Sequence, residues 1–269
     1  MIDIGVNLLH SQFDFDREEV LNRAWAAGVR HIVVTGTDVD SSRAAAAFVT
    51  EHASGRLSAT AGIHPHHAHE APEGWREMVQ ELCGNPGVVA VGETGLDFHR
   101  DFSPRTDQER LFREQLSLAA ELAMPVFVHD RDAGDTVAAC LEEVADVAAG
   151  VVVHCFTGSA ADLDRYLDLG CFIGITGWVC DRRRGGPLRE LMPRIPFDRL
   201  MIETDAPFLK PHNAPDDGRG RRNEPALLPW VARQIAELYG VAENEVEAAT
   251  TANAKSFFRL DSPPPLPGT

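Results

Sequence analysis

The chain has 269 residues, a hydrophobic fraction of 44% and a formal net charge of −16 at pH 7. This length predicts one large domain with a sizeable buried core. An acidic surface repels phosphate, so the composition argues against a general, sequence-independent binder of duplex nucleic acid. No apolar run approaches the roughly 18 residues that a membrane helix needs, which argues against a membrane protein.

Eight short runs rich in β-branched residues predict the buried strands of a parallel sheet. In chain order they are Ile2–Leu8, His31–Thr35, Leu57–Ile63, Val88–Gly92, Pro125–Val128, Val151–Val153, Cys171–Ile175 and Leu200–Ile202. Amphipathic stretches predict helices between and after them, most clearly at Glu109–Leu122, Glu224–Tyr239 and Ala242–Phe258. The alternation predicts an α/β (β/α)₈ TIM barrel. An open doubly wound sheet is the alternative, disfavoured because no glycine-rich dinucleotide turn follows the first strand.

Four predicted strands lead into a residue that can hold a divalent metal, namely Glu93, His129, His154 and Asp205. The carboxyl ends of parallel strands are where α/β proteins build their sites. A hydrolytic metal centre needs anionic or imidazole ligands and a base near the attacking water. We therefore predict a metal-dependent hydrolase, with these four residues as ligands and with Asp205 and His64, which follows the third strand, as catalytic groups.

Basic and aromatic residues follow the fifth, seventh and eighth predicted strands, on the same face as these ligands. The basic ones are Arg131, Arg182, Arg183, Arg184, Lys210, Arg219, Arg221 and Arg222. Solvated loops are the ordinary explanation for such runs, but two of them at the mouth of a metal site favour phosphate contacts. Trp178 and Phe208 lie in the same loops, where a terminal nucleobase could stack on them.

Several stretches resemble signature segments of the TatD family of metal-dependent deoxyribonucleases. These stretches are Asp3–Leu8, Gly62–His66, Gly92–Phe98, Pro125–Ala133, Val153–Gly158, Gly174–Asp181, Ile202–Pro207 and Arg221–Pro225. The resemblance runs from Met1 to about Phe258. It implies a (β/α)₈ barrel that hydrolyses phosphodiester bonds in DNA with divalent metal. For the bacterial branch it implies 3′→5′ removal of nucleotides from single-stranded DNA and a part in DNA repair, and whether RNA is also a substrate stays open.

The resemblance also assigns roles to particular residues. Carried over by motif, the metal ligands fall on Glu93, His129 and His154, the ligand-and-base position on Asp205, and the substrate-side histidine on His64. Apart from the resemblance, we predict a substrate-binding set that comprises Arg131, Trp178, Arg222 and Asn223.

One departure from the wider family concerns the end of the first strand. Where many members carry a His-x-His pair, this chain has Gly5 and Asn7. Glycine cannot bind a metal and asparagine is a weak neutral ligand, so a permanently occupied two-metal centre is not expected. We predict one or two divalent ions, with Mg²⁺ first and Mn²⁺ or Zn²⁺ as alternatives.

Two other functions remain open at this stage. The first is a metal-dependent ester or amide hydrolase, such as a D-aminoacyl-tRNA deacylase, because metal-activated water serves those substrates equally well. The second is a non-catalytic partner of the twin-arginine export machinery. A binding protein has no chemical need for five potential ligands at strand ends, so this second hypothesis is the weaker one.

The remaining expectations concern organisation. Residues 1–260 are predicted to form one hydrolase domain, and the proline-rich segment 261–269 a disordered tail. The start of the chain has no basic segment typical of a signal peptide. The five cysteines are odd in number and form no Cys-x-x-Cys pair. These features favour a cytoplasmic protein, and we expect a monomer that acts on single-stranded ends without a membrane partner.

Overall fold

The computed structural model describes residues 1–52, 55–144, 150–215, 218 and 220–260. Eight parallel strands in these ranges form one sheet in sequential order, and each adjacent pair is hydrogen-bonded. They are β1 (Ile2–Val6), β2 (His31–Val34), β3 (Leu57–Ala61), β4 (Val88–Asp97), β5 (Val126–Arg131), β6 (Val151–His154), β7 (Phe172–Ile175) and β8 (Leu200–Ile202).

The sheet closes between its first and last strands. Val6 bridges Ala206 in parallel fashion, and the backbone amide of Asp205 donates to the carbonyl of Gly5 at 2.9 Å. The backbone amide of Asn7 likewise donates to the carbonyl of Ala206 at 2.9 Å. The TIM barrel predicted from the sequence is therefore confirmed.

Nine α-helices in the described ranges surround and close the barrel. They are α1 (Arg17–Ala26), α2 (Val39–Glu51), α3 (Trp75–Cys83), α4 (Arg105–Leu122), α5 (Gly134–Glu143), α6 (Ala160–Asp168), α7 (Gly186–Leu191), α8 (Leu228–Tyr239) and α9 (Glu243–Phe258). None of them is long and apolar enough to cross a membrane.

The buried side chains form two layers, because alternate residues of a strand face opposite sides of the sheet. The interior of the barrel is filled by Ile2, Ile4, Val33, Ala90, Phe127, Val152 and Met201. Helix α9 covers the end of the barrel where the strands begin, with Phe257 packed against Phe172 at a ring-centroid distance of 5.3 Å. This packing seals one end and leaves the carboxyl ends of the strands as the open mouth.

Two helices begin at other residues than the sequence predicted. Helix α4 starts at Arg105 after Pro104, so the capping residue lies before the expected start at Glu109. Helix α8 starts at Leu228, preceded by a 3-10 turn over Pro225–Leu227. Pro229 lacks the amide hydrogen that would bond to the carbonyl of Pro225, which prevents an α-helix from extending through this turn. The predicted tail 261–269 lies outside the described residues.

Candidate active site

Strand β4 presents Glu93 at an irregular point in the sheet. The register of β4 against β5 shifts between Val91 and Thr94, and such bulges re-aim a side chain next to functional sites. Gly95 has φ +137°, and a Cβ there would lie 1.9 Å from the carbonyl oxygen of His129. Only glycine allows the two backbones to approach this closely, which fixes Glu93 beside the end of β5.

Three imidazoles converge on one oxygen of Glu93. Its Oε1 lies 2.8 Å from Nε2 of His154, 3.0 Å from Nδ1 of His129 and 3.2 Å from Nε2 of His64. The three histidines come from the ends of β6 and β5 and from the residues after β3, which are far apart in sequence. The structure therefore brings four of the five strongest sequence candidates into one cluster.

The charges of the cluster stabilise one another. Burial alone would raise the pKa of Glu93, but the imidazoles of His154, His64 and His129 outweigh it and hold that pKa well below its usual range. Burial alone would lower the pKa of His154, but the carboxylates of Glu93 and Glu203 raise it well above the usual value. For His64 burial dominates and lowers the pKa to about 4. The result is an ionised carboxylate surrounded by imidazole nitrogens.

The far side of the His129 ring faces a second carboxylate. Nε2 of His129 lies 3.6 Å from Oδ2 of Asp97, and that same oxygen is 2.6 Å from Nε2 of His66. Burial alone would lower the pKa of His129, but Asp97 and Glu93 raise it. Nε2 of His129 is buried and has no hydrogen-bond partner among the described residues. A buried polar atom without a partner is costly, so this nitrogen is suited to bind a ligand.

The sequence analysis assigned no role to Glu203, yet this residue supports the cluster from below. It is fully buried just after β8, where its carboxylate accepts a hydrogen bond from the amide of Cys155 at 2.5 Å and lies 3.3 Å from Nδ1 of His154. A Cβ at Gly5 would lie 2.4 Å from Oε2 of Glu203, and one at Gly174 would lie 2.7 Å from its Oε1. Its signal in the sequence was an acidic residue directly after a buried strand.

Asp205 is held at the rim by its backbone and by Asn7. Its φ is +53°, a conformation that non-glycine residues rarely adopt outside functional sites. Nδ2 of Asn7 donates to Oδ1 of Asp205 at 2.9 Å. Burial raises the pKa of Asp205 to about 7, opposed by His154 and reinforced by Glu93. Asp205 therefore lies within the electrostatic reach of the cluster, with its carboxylate oriented by a neutral amide.

Arg131 and Trp178 come together at the mouth. The Arg131 guanidinium lies 5.0 Å from the centroid of the Trp178 ring and donates to Oγ1 of Thr157 at 2.8 Å. The guanidinium of Arg184 lies 4.2 Å from the same ring. Within the described part of the chain, no carboxylate forms an ion pair with Arg131. An arginine two residues beyond a candidate ligand, with its charge uncompensated, is suited to bind phosphate.

Arg222 and Asn223 lie outside this cluster. Arg222 donates to both carboxylate oxygens of Asp16, at 2.7 and 2.6 Å. Asn223 is fully buried and donates to the carbonyls of Thr204 at 2.9 Å and Phe208 at 2.7 Å. Both side chains fix the loop that follows β8, and a substrate contact by either one stays a prediction.

The other basic residues of the predicted clusters are partly engaged by the protein. Arg184 pairs with Asp181 at 2.9 Å, and Lys210 donates to the carbonyl of Gly220 at 2.9 Å. Arg219 lies outside the described residues. Carboxylates of the fold therefore compensate the charge of Arg184 and Arg222, whereas the carbonyl that binds Lys210 leaves its charge in place.

The cluster fits a divalent metal ion. Ligand atoms of His64, Glu93 and His129 all lie within 4.8 Å of one another, and Nε2 of His154 adjoins the same carboxylate. Imidazole nitrogen and carboxylate oxygen are the donors that divalent metals of hydrolases use. His64 lies as close to Glu93 as the expected ligands do, so distance alone does not separate its role from theirs.

Comparison with known proteins assigns the chain to a family. The family model described as TatD related DNase matches residues 2–259. The chain belongs to the TatD family. The 3′-5′ ssDNA/RNA exonuclease TatD of Klebsiella pneumoniae (strain 342) is 49% identical over 261 residues, which cover 97% of this chain and 98% of that relative. The family fold and the cluster together indicate the use of a divalent metal.

Solved structures of other TatD proteins have the same fold over almost their whole length. The TatD homologue YjjV from Escherichia coli K12 superposes with a TM-score of 0.88 at 30% identity, covering 98% of each chain. A TatD family hydrolase from Entamoeba histolytica gives a TM-score of 0.87 at 26% identity, covering 96% of this chain and 97% of that one. The barrel described above is thus the fold of TatD hydrolases.

Proposed function

We propose that this protein is a divalent-metal-dependent 3′→5′ exonuclease that acts on single-stranded DNA and RNA. The observation that carries the proposal is the convergence of three imidazoles on Oε1 of Glu93 at the mouth of a TatD barrel. The relatives named 3′-5′ ssDNA/RNA exonuclease TatD, at 45–49% identity, support the substrate class and the direction of digestion.

We assign the metal to Glu93, His129, His154 and Asp205, with His64 on the substrate side of the cluster. A bound divalent ion supplies Lewis-acid polarisation of a phosphate oxygen and lowers the pKa of a coordinated water. Mg²⁺ is the ion we expect, since carboxylate oxygens suit it, and the imidazoles leave Mn²⁺ and Zn²⁺ as alternatives. We propose one or two ions per site.

Side chains of the protein then accept the proton and bind the phosphate. Asp205, oriented by Asn7, takes the proton from the attacking water as the new oxygen–phosphorus bond forms. The bond from phosphorus to the 3′-oxygen of the preceding nucleotide breaks, that oxygen takes a proton from solvent to become the new 3′-hydroxyl end, and a nucleoside 5′-monophosphate leaves. Arg131 binds a non-bridging phosphate oxygen, and the Trp178 ring beside it lines the same wall of the mouth.

Digestion of a 5′-labelled single-stranded oligonucleotide tests this proposal. Metal-stripped protein is assayed with Mg²⁺, Mn²⁺ or Zn²⁺ restored separately, beside the Asp205→Asn variant. A ladder that shortens from the 3′ end, and that is absent in the variant, supports the proposal. Asp130→Asn is the matched control, because Asp130 is also largely buried but accepts its hydrogen bond from Tyr166 behind the sheet.

An aminoacyl-tRNA substrate assayed in parallel separates the nuclease from an ester hydrolase. If no ion supports cleavage of DNA or RNA while an aminoacyl ester is hydrolysed, the nuclease proposal is wrong and the barrel serves other chemistry. If Asp205→Asn retains the wild-type rate with metal present, Asp205 is not the base.

We also propose how the protein works in the cell. Residues 1–260 would act as one hydrolase domain and as a monomer, since every member of the cluster comes from a single chain. Cys83, Cys140, Cys155, Cys171 and Cys180 are all unpaired, which supports the reducing environment of the cytoplasm. Removal of 3′ ends supports a part in DNA repair, which survival of a deletion strain after oxidative damage would test.

A further inference from the structure

Exposed aromatic side chains at the barrel mouth are not explained by the metal cluster. Of the large hydrophobic residues described, Phe15, Phe102 and Phe208 are exposed to 100%, 60% and 44% on loops at the mouth, whereas Leu169, exposed to 38%, follows α6 at the other end. Phe102 and Phe208 each rest edge-on against a histidine ring. A single exposed ring is ordinary on a protein surface, but these three exposed rings lie together at the end of the barrel that holds the cluster.

The backbone around Phe208 is fixed although its ring is exposed. Its amide donates to the carbonyl of Asp205 at 3.0 Å, and its own carbonyl accepts from Nδ2 of the buried Asn223 at 2.7 Å. Asp205 and Leu209, on either side, have φ values of +53° and +55°. The ring packs edge-on against His10 at a centroid distance of 5.4 Å. An aromatic face is therefore held rigidly at the rim, three residues from the proposed base.

Phe102 has an equivalent position on another wall. It lies in the loop after β4, and its ring packs edge-on against His66 at a centroid distance of 4.7 Å. His66 is in turn 2.6 Å from Asp97, which adjoins His129 of the metal cluster. Phe102 is thus one ring removed from the groups that support a proposed ligand.

The two rings lie on different sides of the mouth. Phe208 and His10 follow β8 and β1, whereas Phe102 and His66 follow β4 and β3. In a closed sheet of eight strands in sequential order, β4 and β8 are diametrically opposed. A strand of nucleic acid that crosses the mouth over Glu93 would therefore meet one ring before the cluster and the other beyond it.

We propose that Phe208 and Phe102 are the stacking platforms for the two nucleobases that flank the bond to be cut. This inference rests on the exonuclease function proposed above and adds the residues that select an unpaired strand. Base stacking on an aromatic ring tolerates every base, because each has a π-face. The last base pair of a duplex has one face covered by its neighbour and the second-last pair has both faces covered, so both platforms can be occupied together only when the end is unstacked.

The overall charge strengthens the case for stacking. With a net charge of −16, the protein gains little from long-range attraction to phosphate, and two cations of the mouth, Arg184 and Lys210, are engaged locally. Stacking does not depend on charge and is little affected by salt. Binding of a single strand by this acidic surface therefore depends on the two rings, on Arg131 and on the metal cluster.

Equilibrium binding of a fluorescent single-stranded oligonucleotide, measured by anisotropy with chelator present, separates binding from turnover. We expect Phe208→Ala and Phe102→Ala each to raise Kd by about fivefold to a hundredfold, at low and at high salt. Phe208→Trp should restore the affinity. Leu169→Ala, which truncates another exposed apolar residue at the opposite end, is the matched control and should leave Kd unchanged.

Oligonucleotides with an abasic site at the last or the second-last position identify the base that each ring contacts. If a phenylalanine ring stacks on a given base, the alanine variant of that phenylalanine should bind the oligonucleotide that lacks this base almost as well as the wild-type protein does. The inference would be overturned if the losses of binding free energy from each alanine substitution and from each abasic site were additive. It would also be overturned if both alanine variants had the wild-type Kd. If the wild-type protein cleaves the strand but both alanine variants bind it normally, only the stacking platforms are refuted. If no form of the protein cleaves the strand, the proposed exonuclease function is refuted.

Discussion

Replacement of Glu203 by glutamine tests how the buried carboxylate controls the metal cluster. For Nε2 of His154 to bind a metal through its lone pair, the ring proton must lie on Nδ1 and be donated to a hydrogen-bond acceptor. Glu203, with Oε2 3.3 Å from Nδ1, is that acceptor. In Glu203→Gln the amide oxygen can still accept from Cys155, which directs the amide NH₂ toward His154 and favours the wrong tautomer.

The magnitude follows from what such supporting groups contribute elsewhere. Loss of a carboxylate that orients a metal-binding histidine costs about 10- to 100-fold in metal affinity, equivalent to about 1.4–2.8 kcal/mol. The change is isosteric in a fully buried position, and Cys155 keeps its acceptor. We therefore expect the loss to appear in the Kd for metal with the overall fold retained.

Titration of the metal-stripped protein with Mn²⁺ by calorimetry measures this Kd directly, without reference to turnover. Asp130→Asn is the matched control, since it also replaces a largely buried carboxylate by an amide, one residue from His129 but facing Tyr166. If Glu203→Gln binds Mn²⁺ as tightly as the wild-type protein, or if Asp130→Asn loses as much Mn²⁺ affinity, Glu203 does not control the tautomer of His154.

Three further predictions concern stability. Phe112 is buried in the main core, so Phe112→Ala should lower the free energy of unfolding by about 3–5 kcal/mol in urea titrations, and a change below 1 kcal/mol would contradict its packing role. Burial lowers the pKa of His31 to about 4, below its value in the unfolded chain. The contribution of the neutral His31 ring to the free energy of unfolding should therefore be complete above about pH 6.5 and be lost as the pH falls toward 4. His31→Gln, which can keep the bond to Ser58, should reduce the acid destabilisation by roughly 2 kcal/mol, and identical pH profiles would disprove this. Mn²⁺ at about 100 times its Kd should stabilise the protein by about 2.7 kcal/mol, seen as a raised Tm, and should not do so in Glu93→Ala.

Local sequence patterns were sufficient to predict the barrel and the convergence of Glu93, His129, His154 and His64 at its mouth, whereas the role of these residues as metal ligands stays a prediction. Each of the runs ending before Glu93, His129 and His154 is a buried strand, because β-branched residues pack well on both faces of a parallel sheet. The carboxyl ends of parallel strands share one edge, so side chains at those ends had to meet. This rule needs no information about distant contacts, which is why it succeeded.

Interactions between distant residues were beyond the same method. Arg222 looked like a free cation beside Asn223, but Asp16, 206 residues earlier, binds its guanidinium. The partner of Glu203 is a backbone amide 48 residues away at Cys155, which no local pattern marks. Pairings of this kind depend on how the loops fold over the barrel, so a single sequence gives no period or spacing from which to predict them.

The departure at the end of β1 has a physical explanation in this structure. A side chain at Gly5 would collide with Oε2 of Glu203, whose other oxygen is fixed by the amide of Cys155. A histidine at position 5 and the buried Glu203 therefore compete for one space, and this chain keeps the carboxylate. Asn7, at the second position, orients Asp205 by a hydrogen bond at 2.9 Å. In the proposed site, Gly5 thus leaves space for a carboxylate beside His154 and Asn7 supplies an amide that orients Asp205, at the two positions where a His-x-His pair would lie.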